Sequence, residues 1–214
     1  MPLILCGADL DVRDAFPVSE AESGRKLNGL ELVGGLSWTA SPGILAVRKN
    51  NEAYASFADK GSAIAKLPVG DGAKMIRVEA RLHPMKIDES GTWLAVGLGN
   101  PKDFSTGLTW GGGVFMLVNT SGQVECFYNA GAKPARIKGV SPKNINQDDF
   151  NLLAIEYERS GNRVSMFVNG VPVIERFDLG AFSFTPDAAW AGFSGFGQPA
   201  NQKSVADFIL KVEH

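Results

Sequence analysis

The segment Phe150 to Phe177, FNLLAIEYERSGNRVSMFVNGVPVIERF, constrains the fold more than any other part of the chain. Leu153, Ile155 and Tyr157 alternate with Ala154, Glu156 and Glu158. A period of two puts one set on an apolar face and the carboxylates on a wet one, as in a strand. Ser160-Gly161-Asn162 interrupts the run with residues that tolerate the positive φ of a short hairpin loop. Val164, Met166 and Val168 repeat the alternation, and Asn169-Gly170 closes it with the strongest two-residue hairpin signal. Val171 to Phe177 returns as a third strand. Pro172 cannot donate to a ladder, so this strand is expected at a sheet edge or to begin irregularly.

The rest of the chain follows the same plan. Met75 to Leu82 points Ile76, Val78, Ala80 and Leu82 one way and Arg77, Glu79 and Arg81 the other. Short strands are expected at 3–6, 36–39, 44–47, 53–57, 62–69, 92–98, 113–119, 123–129, 190–196 and 205–212. The segment 9–16 reads as polar and irregular, 17–29 as a loop, and 130–148 as a surface loop with one short edge strand. About a dozen strands spaced by turns every eight to twelve residues make a sandwich or barrel. The 25 glycines and the lack of a 3.6-residue apolar stripe agree with an all-β class. A chain of 214 residues fits one such domain, 1–214, with no need of disulfide or metal staples.

Charge and motif content exclude several classes. A net charge of −2 without a basic cluster disfavours nucleic-acid binding and a polybasic membrane patch. No run reaches the length of a membrane span, and MPLILCGADLD does not read as a signal peptide. Cys6 and Cys126 lie in apolar runs and read as buried thiols, with a bridge between them left open. His83 reads as a surface residue before a proline. With only His214 to join it, a histidine-based metal or catalytic site is poorly supplied. Asp148-Asp149 is a candidate calcium corner, though two acids at a strand start also serve as plain loop residues. Gly111 to Gly113 lacks the lysine and helix of a phosphate loop.

Four stretches carry a resemblance to a known group. They are Asp14-Ala15-Phe16 with Leu36-Ser37-Trp38-Thr39 and Gly43-Ile44-Leu45; Met75 to Leu82; Phe150 to Val173; and Ala191 to Phe196 with Val205 to Phe208. In these the sequence resembles the concanavalin A-like lectin and glucanase superfamily, which includes laminin-G-like domains. The resemblance implies an all-β jelly roll of two curved antiparallel sheets, with ligands on the concave face or on loops at its rim. It is a resemblance of fold and says little of activity. The glucanase branch carries E-x-D-x-x-E, which supplies nucleophile and general acid. That motif is absent here, and Glu156 and Glu158 fall on the face expected to be wet. Asp88 to Trp93 resembles a single sialidase Asp box with Lys86 and Ser90 replacing two motif residues, and reads most simply as a turn entering a strand.

The binding surface expected from the sequence is the Gly-rich stretch Gly97 to Gly113. It holds Phe104, Trp110, Asn100 and Asp103 between two strands. Rings beside Asn and Asp suit a sugar, which offers a CH face to stack and hydroxyls to bond. The other reading is that Phe104 and Trp110 anchor the loop inward. The expected function is a non-catalytic binding or assembly module. It is either a glycan-binding or adhesion domain or a structural protein on a larger particle such as a phage virion. Its partners are then glycan or other protein subunits, in a homo-oligomer or larger assembly, reached extracellularly or by cell lysis. The alternative is a carbohydrate-active enzyme with an unrecognised site.

Overall fold

The computed structural model describes residues 9–32, 35–67, 72–84, 91–99, 113–128, 135–140, 145–180, 190–200 and 202–214. Its strands are β1 (Leu10–Asp14), β2 (Arg25–Lys26), β3 (Trp38–Ala40), β4 (Ile44–Lys49), β5 (Glu52–Phe57), β6 (Asp59–Lys66), β7 (Met75–Leu82) and β8 (Trp93–Gly99). They continue with β9 (Gly113–Asn119), β10 (Val124–Tyr128), β11 (Ala135–Val140), β12 (Asn151–Glu158), β13 (Arg163–Val168), β14 (Val171–Asp178), β15 (Trp190–Gln198) and β16 (Val205–Glu213). Among the described residues a 3-10 turn covers Glu20–Glu22. Among the described residues no helix is long and apolar enough to cross a membrane.

The strands form two antiparallel sheets. The nine-stranded sheet runs β14-β13-β12-β7-β16-β5-β4-β2, with β1 added alongside β16. The seven-stranded sheet runs β11-β10-β9-β8-β15-β6-β3. The meander expected from the sequence is present, and β14, which carries Pro172, is the edge strand of its sheet. Asn162, Asn169 and Gly170 adopt positive φ in its two turns. The expected strand at 3–6 lies outside the described residues. Segment 9–16 is a correction: Leu10 to Asp14 is a regular strand in register with Phe208 to Val212. Its alternation was hidden because Asp14, inward with Val12 and the partly buried Leu10, is a carboxylate.

The core between the sheets gathers a group of aromatic rings around Trp38. Trp38 makes edge contacts with Phe193 and Phe208 at centroid distances of 5.2 and 4.9 Å, and Phe16 meets Phe193 edge-on at 5.7 Å. T-shaped pairs suit the ring quadrupoles and add to the burial term. Asp14 is 5% exposed and sits among these rings. It accepts hydrogen bonds from Trp38 Nε1 at 2.6 Å and from the Phe16 amide at 2.7 Å, so the buried charge is satisfied. The second bond closes a tight turn that holds Phe16 at φ 52°. Desolvation nevertheless pushes the Asp14 carboxyl above its ordinary 3.8, against the pull of the two donors.

Candidate functional site

Two places on the sandwich have the makings of a site, one on each outer face. The first is the outer face of the seven-stranded sheet. Leu94, Val96 and Leu98 of β8 point into the core, as do Val114, Met116 and Val118 of β9. The intervening residues form a second apolar cluster on the opposite face: Ile64, Trp93, Ala95, Phe115 and Leu117, with Phe127 and Trp190 packed against it. This sheet is therefore apolar on both sides, which explains why β8 reads as an unbroken apolar run instead of an alternation.

The connection singled out in the sequence joins β8 to β9. Gly99 and Gly113 are register partners at the ends of β8 and β9, and Trp190 of β15 lies directly across from Gly99. Glycine at 113 answers to close strand approach: a Cβ there would stand 2.6 Å from the Leu98 carbonyl oxygen. Asn100, Asp103, Phe104 and Trp110 themselves lie outside the described residues, as do Cys6 and the Asp-box-like segment before Gly91. At the other end of β8, roughly 20 Å away along the strand, Phe196 stacks on Trp93 with ring planes 10° apart and centroids 6.2 Å apart. Phe196 is 44% exposed. The Gln198 side-chain amide donates to the Trp93 carbonyl at 3.0 Å, tying together the two strands that present these rings.

The second place is a hollow of about 530 Å³ on the outer face of the nine-stranded sheet, where β7 ends and β12 and β16 begin. Register shifts between Val205 and Phe208, a bulge that re-aims Ala206 and Asp207. Asp207 accepts from Arg13 Nη2 at 3.0 Å and from Arg81 Nη1 at 3.1 Å. The Arg81 guanidinium stands 5.4 Å from the centre of the Phe150 ring, and the His83 ring 5.3 Å from it. Buried Asn151 holds the approach to β12 in place. It accepts from the Asn146 amide and donates to the carbonyls of Asn146 and Asp149. Asp148, Asp149 and Phe150 are thus set at the rim by a fixed turn.

His83 corrects the sequence expectation. It is half-buried against Phe150, and its backbone amide donates to the Ser204 carbonyl at 3.0 Å. Burial of the ring lowers its pKa from the ordinary 6.5, outweighing the opposite pull of Asp149, Asp148 and the Lys203 backbone. The calcium corner finds little support in the donor set. Asp149 turns one oxygen to the Phe150 amide at 2.7 Å, and among the described residues no three His, Cys, Asp or Glu side chains converge as a metal cage. Glu156 and Glu158 lie on the outer face as expected, bound to Arg77 at 3.0 Å and Arg176 at 3.1 Å. Neither is poised as a free acid or base. Tyr54, Arg81, Phe150 and Asp207 escaped the sequence reading because their separate strands give no sign of meeting. The one legible signal was Arg81 on the wet side of its strand.

Comparison with known proteins places the fold. The sequence matches no protein-family model and no curated protein sequence. Among solved structures, the carbohydrate recognition domain of Emp47p aligns at TM-score 0.58 and 13% identity, over 94% of this chain and 99% of its own. The exoplasmic/lumenal domain of VIP36, solved in a Ca2+/Man3GlcNAc-bound form, aligns at TM-score 0.51 and 13% identity over 81% and 82%. A GH16 protein of the Bacteroides ovatus mixed linkage glucan locus, in complex with a G4G4G3G product, aligns at TM-score 0.53 and 12% identity over 94% and 96%. The chain has the concanavalin A-like lectin and glucanase fold.

Proposed function

We propose that this protein is a non-catalytic glycan-binding module, with its binding surface made by the outer face of the seven-stranded sheet and the connection between β8 and β9. The observation that carries this reading is the exposed Phe196 ring stacked on Trp93. Among the described residues only Val171 and Phe196 are large apolar side chains open to solvent, and Val171 opens the edge strand β14 just after a hairpin turn. An open ring braced from behind by a second ring offers a flat apolar surface for the CH face of a sugar. Trp110 and Phe104 are the rings proposed to complete that surface from the far end, with Asn100 and Asp103 orienting hydroxyls. Two proteins of the same fold, Emp47p and VIP36, are described respectively as a carbohydrate recognition domain and as Man3GlcNAc-bound, which supports the same use of this fold. The activity serves either adhesion to a glycosylated surface or display on a larger particle such as a phage virion.

Titration calorimetry with Man3GlcNAc, mixed-linkage β-glucan oligosaccharides and a panel of galactosides and sialosides tests the reading. At least one glycan should bind, and Phe196→Ala and Trp110→Ala should each weaken it at least tenfold while the fold survives. The same mixtures, assayed for released reducing ends, should show none. Failure of every glycan to bind, or binding indifferent to both substitutions, refutes the proposal. Turnover lost in Glu156→Gln or Glu158→Gln would establish the enzymatic alternative in its place.

A further inference from the structure

Most of the outer face of the nine-stranded sheet is a ladder of matched charges. Arg77 pairs with Glu79 and Glu156, Arg176 with Glu158, and Lys211 with Asp11. The ladder breaks at the hollow where β7 ends. Asp207 is held there by Arg13 and Arg81, and Glu52 by Lys203, so both cations of the lining already have carboxylate partners. Two carboxylates are left over. Among the described residues the Asp148 side chain makes no ion pair or hydrogen bond, and Asp149 engages only one oxygen, with the Phe150 amide.

Neutral groups in the same hollow are also uncommitted. His83 lines it, and its Nδ1 is buried with no partner among the described residues. Tyr54 lines it too, 2% exposed, with no hydrogen bond from its hydroxyl to a described residue. Buried polar atoms in folded proteins are nearly always bonded, so His83 Nδ1 calls for a ligand or another explanation. The space exists because Ala15, Ala53 and Ala206 stand where larger side chains would fill it. What the hollow offers is acceptors and negative charge around a ring edge. A ligand complementary to it must donate hydrogen bonds and bring a positive charge. An anion would have to displace Asp207 or Glu52 from its cation.

We infer that this hollow is a second ligand site, separate from the glycan surface, that takes a primary ammonium group on a small carbon skeleton, with Asp148 and Asp149 as its counter-charges and Phe150 as its apolar wall. An amino sugar, a lysine side chain and a polyamine share that chemistry. The ammonium donates to the two carboxylates, and the skeleton lies against Phe150 with its polar groups toward Tyr54 and His83. The site stands on the nine-stranded sheet, so loss of glycan binding at Phe196 would leave it unaffected.

The test is a titration of the full chain, followed by amide chemical shifts, with glucosamine, lysine methyl ester and spermidine as amines. Glucose and N-acetylglucosamine serve as uncharged counterparts. At least one amine should bind and shift amides at the start of β12 and β16, with the uncharged sugars at least tenfold weaker there. Asp148→Asn combined with Asp149→Asn should weaken the amine at least tenfold, and the best of the three probes identifies the source. Asp148→Asn alone, whose carboxylate supports no turn, should weaken it severalfold and keeps the test valid if the double variant unfolds. The inference is overturned if no amine binds, if N-acetylation makes no difference, or if the Asp148→Asn protein binds amine as the parent does.

Discussion

Asp14 shows how one residue can tie an entire end of the core together. Its carboxylate is desolvated among Phe16, Trp38, Phe193 and Phe208, and the Trp38 indole N–H is its shortest partner. Trp38→Phe keeps most of the ring and removes the donor. A hydrogen bond to a charged group contributes about 1.5–3 kcal/mol, and a loss of that size should appear as a lower urea midpoint. The pH dependence has a definite sign. Because burial raises the Asp14 pKa above its unfolded value near 3.8, the folded chain holds this proton more tightly than the unfolded chain. The stabilisation from that proton is complete below the unfolded value and is lost as pH rises through the folded one. In Trp38→Phe a pull toward lower pKa is gone, so the loss should move to higher pH in stability curves measured from pH 4 to 8. The same residue shows why the sequence hid β1. Leu10, Val12 and Asp14 point inward, and a carboxylate at an inward position erases the alternation that marks a strand. His83 was misread for a related reason. Its neighbours Phe150 and Ser204 come from distant segments, and local sequence carries no record of them.

At the scale of elements, the hairpins were legible because their chemistry is local. Asn169 takes φ 50° and Gly170 φ 79°, as a tight turn requires. Asn169 also accepts from the Leu152 amide at 2.8 Å and donates to Asn151 Oδ1 at 3.0 Å, tying the turn to the neighbouring strand. Asn169→Ala keeps the turn length but loses both bonds and the tolerance of left-handed φ. It should cost about 1–3 kcal/mol, read from denaturant unfolding. Gly170→Ala meets nothing within 4 Å, so any destabilisation it causes reports backbone strain alone. Pairing between distant strands was not legible. Nothing in the sequence of β8 says that β15, nearly a hundred residues later, lies beside it, yet that neighbour supplies Phe196 to the candidate glycan surface. The hollow is assembled from β5, β7, β16 and the turn before β12 in the same way.

For the whole molecule, the two sheets divide the work by polarity. The seven-stranded sheet is apolar on both faces, while the nine-stranded sheet turns a charged ladder outward. Cys126 lies within the first, 0% exposed, with its side chain in the main core. A thiol reagent should therefore leave it unmodified in the native protein and label it at the rate of global unfolding, a difference that mass spectrometry of peptides reads directly. Labelling of Cys126 under native conditions would show that this sheet opens locally.

The position of β16 has a consequence for how the chain is made. It is the last described strand to be synthesised, and it lies between β7 on one side and β1 and β5 on the other. Until Val205 to Glu213 leaves the ribosome, the nine-stranded sheet exists only as three parts, β14-β13-β12-β7, β5-β4-β2 and an unpaired β1, each with an open edge where β16 will lie. A chain that stops between Asp178 and Val205 holds every other strand of this sheet with the edges beside β16 unpaired, and it lacks the strand that would close them.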